Sequence, residues 1–236
     1  MHPVLPAAGN GESAGYSYAG LLTKADRDEV LRVLAELRFS GWLGPWEEGW
    51  LVAVPARPVG PVAAAGADLE TVGEALARRL DEVVLVASVR RDRVLRLRMW
   101  AGRRELGRYL SNPAFDAPED DEAFPDPEGV EHAEDFARAC GRPRVAEELT
   151  EVLGDVLDED SEIESERLTR AFRLLGLPVW LVAATALPKD VPGGPRAAEC
   201  TRLGAGRTGV AGRLLGWVTG VARRCRHRPG RPSRPG

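Results

Sequence analysis

Three consecutive apolar stretches in the middle of the chain constrain its fold more than any other feature. Residues 83–89 are apolar at nearly every position, as in a strand that is covered on both faces. Residues 94–100 alternate, with leucine and methionine on one face and Arg96 and Arg98 on the other, which is typical of a strand with one buried face. The shorter stretch 105–110 follows a glycine turn. Together these stretches predict an antiparallel meander.

Two amphipathic helices and a hairpin precede this meander. An apolar stripe over residues 30–37 predicts the first helix, with Thr23 as its N-cap. A second stripe predicts a helix over residues 69–80 that is capped by Asp68. Between them, turn residues in FSGWLGPWEEGWLVAVP separate two short strands. This order of elements indicates one antiparallel sheet with two helices over one face, or else a doubled α-β-β unit.

An acidic loop and a series of helical patterns follow the meander. The loop DAPEDDEAFPDPE has too little apolar material to pack against a core. Apolar stripes predict one helix over residues 130–140 and a second that begins near Pro143. Ser161 and Glu164 form a capping-box pattern before a third helix, which Gly176 ends. The segment PVWLVAATAL favours one more short helix over a strand.

The predicted fold class is α+β: a small antiparallel sheet with two helices, followed by an acidic helical segment and a disordered basic tail. The predicted segments are a flexible N-terminal arm (1–22), the sheet domain (23–115), the acidic loop and helices (116–195) and a Gly-, Arg- and Pro-rich tail (196–236). The first segment lacks the pattern of a signal peptide, and no apolar run reaches the roughly 20 residues that span a bilayer. Three cysteines without regular spacing favour reduced thiols, so we expect a cytoplasmic protein.

Charge is distributed unevenly along the chain, which its formal net charge of −4 conceals. Residues 116–166 contain 20 acidic residues and three arginines, whereas residues 201–236 contain nine arginines and no acidic residue. An acidic block of this kind fits a basic protein partner through charge complementarity, as in an immunity protein or antitoxin. Three alternatives remain: the blocks are merely solvated, the tail screens the acidic block, or the tail binds an anionic partner.

The candidate contact residues fall in two groups. Trp46 is placed at the tip of the predicted hairpin, where an aromatic ring is difficult to bury. The candidate partner-binding residues are Trp46, Tyr109, Asn112, Asp158, Glu159, Asp160 and Glu162. In the tail, an amphipathic pattern suits an anionic membrane surface or nucleic acid, although its glycines weaken a helix there. Its candidate contact residues are Arg213, Trp217, Arg223 and Arg224.

No sequence motif for catalysis or metal binding has all the residues and the structural context that such a site requires. GAGRTG matches a dinucleotide-binding pattern, but no convincing strand precedes it. Ile163 and Thr169 stand where a calcium loop would need glycine and a bidentate glutamate. His132 and Cys140 are separated by about 12 Å along a predicted helix, too far for a thiolate–imidazole pair. We therefore predict a non-catalytic protein without cofactor, metal or small-molecule ligand. An enzyme with a site between sheet and helices, or a peripheral membrane protein, is the alternative.

One local signature resembles a known group of proteins. Pro113 removes a backbone donor and Ser111 and Asn112 favour a turn, so ELGRYLSNP reads as a strand that stops at a domain junction. With VLRLRMW and the later RAFRLLGLPVW, this segment resembles an uncharacterised family of bacterial proteins over about residues 80–190. The matching positions are Arg108, Tyr109, Ser111, Asn112, Pro113, Leu175, Gly176, Leu177, Pro178 and Trp180. The resemblance implies an architecture, a meander followed by helices, and no catalytic residue.

Overall fold

The computed structural model describes residues 16–115, 126–155, 163–184 and 193–204, and within these ranges seven strands form one antiparallel sheet with helices on both faces. The strands are β1 (Tyr18–Thr23), β2 (Gly41–Glu47), β3 (Trp50–Pro55), β4 (Val83–Arg90), β5 (Val94–Ala101), β6 (Arg104–Leu110) and β7 (Thr201–Leu203). The helices are α1 (Arg27–Glu36), α2 (Leu69–Leu80), α3 (Ala133–Ala139), α4 (Ala146–Gly154) and α5 (Glu164–Leu175). Short 3-10 helices occupy Ala64–Gly66, Val130–His132, Pro143–Val145, Val179–Ala183 and Ala197–Glu199.

The strand β1 lies at the centre of the sheet, whose order is β6-β5-β4-β1-β3-β2-β7. β4 pairs with the whole of β1, from Tyr18 opposite Val89 to Thr23 opposite Val84, and β3 pairs with its second half. Every residue of β1 is buried. Residues 18–22 are predicted from the sequence to belong to a flexible arm, and that prediction is wrong. The partners of β1 lie far along the chain, so no local pattern marks it as a strand.

The sheet is larger than the small sheet that the sequence predicts. β1 adds a central strand, and β7 adds an edge strand by pairing Thr201 with Leu43 and Leu203 with Gly41 of β2. The residues of β7 belong to the segment that the sequence analysis assigns to the basic tail, so folded structure extends further than predicted. The mixed α+β class itself is as predicted.

The helices cover the two faces of the sheet in separate groups. α1 and α2 pack on one face, against side chains that include Leu21 and Val86. α3, α4 and α5 pack on the other face, against side chains that include Leu85 and Leu97. Gly73 allows α2 to approach β4 closely, since a Cβ atom there would lie 2.5 Å from the side chain of Val86. Within the described ranges, none of the helices is long and apolar enough to cross a membrane.

Asp26, rather than Thr23, caps α1. The Asp26 carboxylate accepts hydrogen bonds from the backbone N–H groups of Asp28 and Glu29, at 2.9 and 3.2 Å. Thr23 lies in β1, where its hydroxyl donates to the carbonyl oxygen of Val83 at 2.9 Å. The predicted cap is therefore wrong, because the strand that continues through Thr23 delays the start of the helix.

Other helix boundaries follow the signals in the sequence. Asp68 caps α2 by accepting a hydrogen bond from the N–H of Thr71 at 2.8 Å. Pro143 begins the 3-10 helix that leads into α4. Gly176, with a φ of +65°, ends α5 in the left-handed conformation that glycine adopts readily.

The start of α5 differs from its prediction. α5 begins at Glu164, and Ile163 in the N-cap position provides no side-chain cap. The Glu164 side chain is fully buried and faces Arg167, so it does not fold back as a capping box requires. Ser161, the other member of the predicted capping box, lies outside the described residues.

Replacing Asp26 by alanine is expected to lower the free energy of unfolding by about 1 kcal/mol, because two N–H groups at the start of α1 lose their acceptor. Urea unfolding followed by circular dichroism measures the change. Asp26→Asn is the matched control, since asparagine caps about as well as aspartate. An equal loss in both variants would mean that charge, and not capping, stabilises this end of the helix.

Candidate functional site

The predicted contact residue Trp46 is exposed. Its side chain on β2 is 52% exposed and lies opposite Leu51 of β3. Because directly paired residues of antiparallel strands share a face, the indole is on the α1 side of the sheet, where Leu51 packs. The tip of the hairpin consists of Glu48 and Gly49, both with positive φ. Trp46 therefore belongs to the strand, and not to the tip where the sequence analysis places it.

Tyr109, a second predicted contact, is enclosed within the protein. It is 2% exposed. Its hydroxyl donates to the carbonyl oxygen of Leu153 at 2.8 Å and accepts from the guanidinium of Arg167 at 2.6 Å. Tyr109 therefore joins β6 to α4 and α5, and its position does not support a contact with a partner.

At Ser111-Asn112-Pro113, the pairing of β6 with β5 continues for one residue and then ends. The N–H of Ser111 donates to the carbonyl oxygen of Leu95 at 3.0 Å, and its hydroxyl accepts from the N–H of Leu95 at 2.9 Å. Asn112 follows, partly buried, with an Oδ1 atom that has no hydrogen-bond partner among the described residues. The strand therefore stops here, as predicted, whereas the predicted domain junction stays a prediction.

A buried polar network joins the sheet to α4 and α5, and we name it the junction network. Its side chains are those of Tyr18, Asp92, Tyr109, Glu164, Ser165 and Arg167. Arg167 is its hub, with a side chain that is 1% exposed. Besides Tyr109, the guanidinium donates to the carbonyl oxygens of Leu153 and Asp155, at 3.1 and 2.6 Å. Its Nε atom lies 3.3 Å from Oε2 of the fully buried Glu164.

Asp92 holds the first turn of α5 from the tight turn between β4 and β5. Its Oδ1 atom accepts hydrogen bonds from the hydroxyl of Ser165 and from the N–H of the same residue, the latter at 2.9 Å. The carbonyl oxygen of Asp92 accepts from the N–H of Glu164 at 3.2 Å. Tyr18 donates its hydroxyl to Ser165 Oγ at 2.9 Å. Asp92 thus supplies the helix cap that Ile163 cannot provide.

Burial dominates the titration of the buried hydroxyl and thiol groups. It raises the pKa of Tyr18 and that of Tyr109 well above the ordinary value for tyrosine, although the positive charge of Arg167 opposes the rise at Tyr109. Burial also raises the pKa of the Cys140 thiol to about 12. None of these three groups is placed to exchange a proton near neutral pH, so they are poorly suited to acid–base catalysis.

The junction between sheet and helices is closed. A catalytic site there would need an open pocket with convergent side chains, whereas the groups of the junction network are enclosed and bonded to one another. Among its described lining residues, a cleft beside Tyr18 and Trp42 has no carboxylate, histidine or cysteine. Over the described part of the chain, no three His, Cys, Asp or Glu residues are grouped as metal ligands. In the described part of the chain, the polar groups of this junction are therefore internal contacts between the sheet and the helices.

Exposed carboxylates are frequent on α3, on α4 and on the residues that flank them. Among the described residues these are Asp126, Glu128, Glu131, Glu134, Glu147, Glu148, Glu151 and Asp155. Arg138 pairs with Glu134, and Arg170 pairs with Asp155 at 3.4 Å. The three glutamates of α4, Glu147, Glu148 and Glu151, make no ion pair with another described residue.

The remaining predicted contact residues lie outside the described residues. They are Asp158, Glu159, Asp160 and Glu162 of the acidic segment, and Arg213, Trp217, Arg223 and Arg224 of the tail. Their assignment therefore stays a prediction from the sequence.

The sequence analysis missed the junction network, although α5 carried a signal for part of it. Glu164 and Arg167 fall three residues apart on the side of the helix that also carries Leu168 and Phe172. An acidic and a basic residue at this spacing on an apolar face indicate a buried ion pair. Asp92 carried no comparable signal, because its partner Ser165 is distant in the chain.

Comparison with protein-family models, with curated proteins and with solved structures found no match to this chain. The resemblance of the meander and the LGLPVW segment to a group of bacterial proteins stays a prediction.

Replacing Arg167 by methionine is expected to lower the free energy of unfolding by about 3–5 kcal/mol, because it removes the positive charge that faces buried Glu164. The carbonyl oxygens of Leu153 and Asp155 also lose a donor. Arg173→Met is the matched control: Arg173 is exposed on the same helix, so its loss should change stability by about 0.5 kcal/mol or less. Urea unfolding measures both. Losses of similar size would mean that the junction network does not hold α5 on the sheet.

Stability is expected to fall above about pH 10, where tyrosines of the unfolded chain ionise. Tyr18 and Tyr109 have raised pKa values in the folded state, so the unfolded state releases protons first and becomes favoured as pH rises. Urea unfolding between pH 8 and about pH 11 measures the slope. The double variant Tyr18→Phe, Tyr109→Phe should lose less stability over this range than the parent. Identical slopes would contradict the role assigned to these hydroxyls.

Proposed function

We propose that the protein is a non-catalytic binding or regulatory protein that engages a basic protein partner through its acidic helical region. Immunity proteins and antitoxins act in this manner when they neutralise basic targets by charge complementarity. The observation that carries the proposal is the group of three exposed α4 glutamates, Glu147, Glu148 and Glu151, which make no ion pair with another described residue.

The α4 glutamates repel one another. Glu151 follows Glu147 by four residues and Glu148 by three, and such like-charge pairs each destabilise a helix by about 0.2–0.5 kcal/mol. The binding of lysine or arginine side chains would remove this repulsion. The repulsion among these glutamates therefore destabilises α4 in the free protein, and a bound basic partner would offset that destabilisation.

The proposed contact surface is narrower than the acidic block of the sequence. Glu164 is buried in the junction network and is unavailable to a partner. Glu134 and Asp155 each face an arginine of the same chain. We therefore restrict the contact to the α4 glutamates and to the acidic residues that follow α4 in the sequence. Those residues are Asp158, Glu159, Asp160 and Glu162.

Trp46 belongs to a different surface. It lies on the α1 side of the sheet, whereas α4 packs on the opposite side. One flat partner surface would not contact both, so we leave Trp46 out of the proposed contact. Tyr109 is also outside the proposed contact, because it is buried and its hydroxyl is bonded inside the protein.

Capture from native lysate, with the full chain as bait, should recover a basic protein whose binding weakens as salt is added. The test variant carries Glu147→Gln, Glu148→Gln and Glu151→Gln. Its affinity for the recovered protein, measured by titration calorimetry, should fall by about tenfold or more, which corresponds to about 1.4 kcal/mol. Adding the neutralisation of Asp158, Glu159, Asp160 and Glu162 should weaken binding further.

The matched control neutralises three exposed acidic residues on the other face of the sheet, through Asp28→Asn, Glu29→Gln and Glu74→Gln on α1 and α2. It changes net charge by the same amount and should retain binding. Unchanged capture by the α4 variant would refute the proposal, as would an equal loss in the control, because binding would then depend only on total charge.

A further inference from the structure

A cleft lies at the end of the sheet where β1 and β3 separate. The pairing of β1 with β3 ends at Leu21 opposite Ala53, whereas the pairing of β1 with β4 continues to Tyr18. The described residues that line the cleft include Tyr18, Trp42 and Pro55, one from each of three strands. The cleft therefore results from the strand pairing itself.

Backbone groups of β1 are directed toward this cleft. In an antiparallel sheet, alternate residues direct both their N–H and their C=O group toward the same neighbouring strand. Among Tyr18, Ala19 and Gly20, at least one residue therefore directs these groups toward β3, yet none of the three is paired with β3 in the described sheet. Pro55 of β3 has no N–H group to donate. An extended segment in the cleft can therefore form hydrogen bonds with β1.

The size and lining of the cleft suit one small apolar side chain. The space open to the centres of water molecules is about 40 Å³. A water molecule needs about 10–15 Å³ by this measure and takes up about 30 Å³ of liquid, so the cleft corresponds to about three water molecules, or roughly 90 Å³. This is roughly the volume of a leucine side chain. None of the described lining residues is charged.

Both terminal parts of the chain join the described structure near this cleft. Residues 1–15 lead through Tyr16 to Ser17, which lines the cleft. Residues 205–236 follow Gly204, where a Cβ atom would lie 3.2 Å from the Cα atom of Ser40. Ser40 comes two residues before Trp42, another lining residue. Each part is close enough to reach the cleft, so chemical composition decides between them.

The composition of residues 1–15 fits the cleft better than that of residues 205–236. The first part contains Glu12 as its only acidic residue and has no lysine or arginine, whereas the second contains eight arginines. The described lining has no carboxylate to receive an arginine. Arg57, which is exposed and directly follows the lining residue Ala56, would repel one. An apolar segment without cations is therefore the better match.

We propose that residues 3–6 of this chain, Pro-Val-Leu-Pro, occupy the cleft in extended form and that the side chain of Leu5 fills it. Pro6 supports this conformation, because a residue that precedes proline is biased toward extended backbone. Val4 and Leu5 keep the N–H groups that pairing with β1 requires, whereas the two prolines have none. The arrangement is a strand addition within one chain, with backbone pairing and one side-chain pocket.

The connection between this segment and β1 is long enough for the chain to return. Residues 7–15 include three glycines, and a flexible connection of nine residues has a root-mean-square length of about 15–18 Å. Because the connection is short, the effective concentration of the segment at the cleft is in the millimolar range, so a weak contact is sufficient. The acidic surface of α4 takes no part in this contact, and the inference does not depend on the proposed function.

The test follows hydrogen exchange, resolved by residue, in the full chain. In the variant Leu5→Asp, the amide of Tyr18, Ala19 or Gly20 that is directed toward β3 should exchange about fivefold faster or more, because the segment leaves the cleft. Leu5→Ala should give a smaller increase. The matched control Ala8→Asp adds the same charge in the connection and should exchange like the parent. In the parent, nuclear Overhauser contacts should join the methyl groups of Leu5 to the ring of Trp42 or Tyr18.

Four outcomes would overturn the inference. Leu5→Asp could leave exchange unchanged, or the control could accelerate it as much as the test variant. The contacts between Leu5 and the two rings could be absent. Finally, Leu214→Asp in the other terminal part could accelerate exchange of the same amides while Leu5→Asp does not, which would identify residues 205–236 as the occupant. Circular dichroism of each variant establishes that the fold is intact.

Discussion

The buried guanidinium of Arg167 is the interaction on which the attachment of the C-terminal helices depends. It contacts one side chain of the sheet, Tyr109, two carbonyl groups at the end of α4, and the carboxylate of Glu164 within its own helix. A charge in this position is stable only while these partners are in place. The network therefore tolerates few alternative packings of α4 and α5, and it fixes the acidic surface of α4 relative to the sheet. The apolar contacts around it supply most of the burial, whereas the polar network supplies a defined geometry.

The two surfaces of the sheet differ in how their charged groups are paired. On the α2 side, Arg98 pairs with both Glu70 and Glu105. On the other side, the three α4 glutamates make no ion pair with another described residue. The formal net charge of −4 describes neither surface. Exposed charges interact weakly beyond a Debye length of about 8–10 Å at physiological salt. A binding partner therefore responds to the charges of the surface that it contacts, and not to the net charge of the whole protein.

Short sequence patterns predicted the elements whose position depends on residues that are neighbours in the chain. The alternation around Arg96 gave the meander, Asp68 gave the start of α2, and Gly176 gave the end of α5. β1 and β7 were missed because their strand conformation comes from distant pairing partners and not from their own composition. For the candidate surfaces, the exposure of Trp46 was predicted, whereas the enclosure of Tyr109 was not. Its hydroxyl is held by residues that are close only after α4 and α5 have packed.

The central position of β1 has a consequence for the order in which the chain folds during synthesis. β1 leaves the ribosome before either of its neighbours, yet Leu22 needs Val52 of β3 on one side and Leu85 of β4 on the other. Until β4 has emerged, one edge of this apolar strand lacks its native partner and can pair with other chains. Long-range pairing of this kind slows folding, because a large loop must close before its contacts are gained. The speed of translation through residues 24–90 therefore determines how long β1 remains without both of its partner strands.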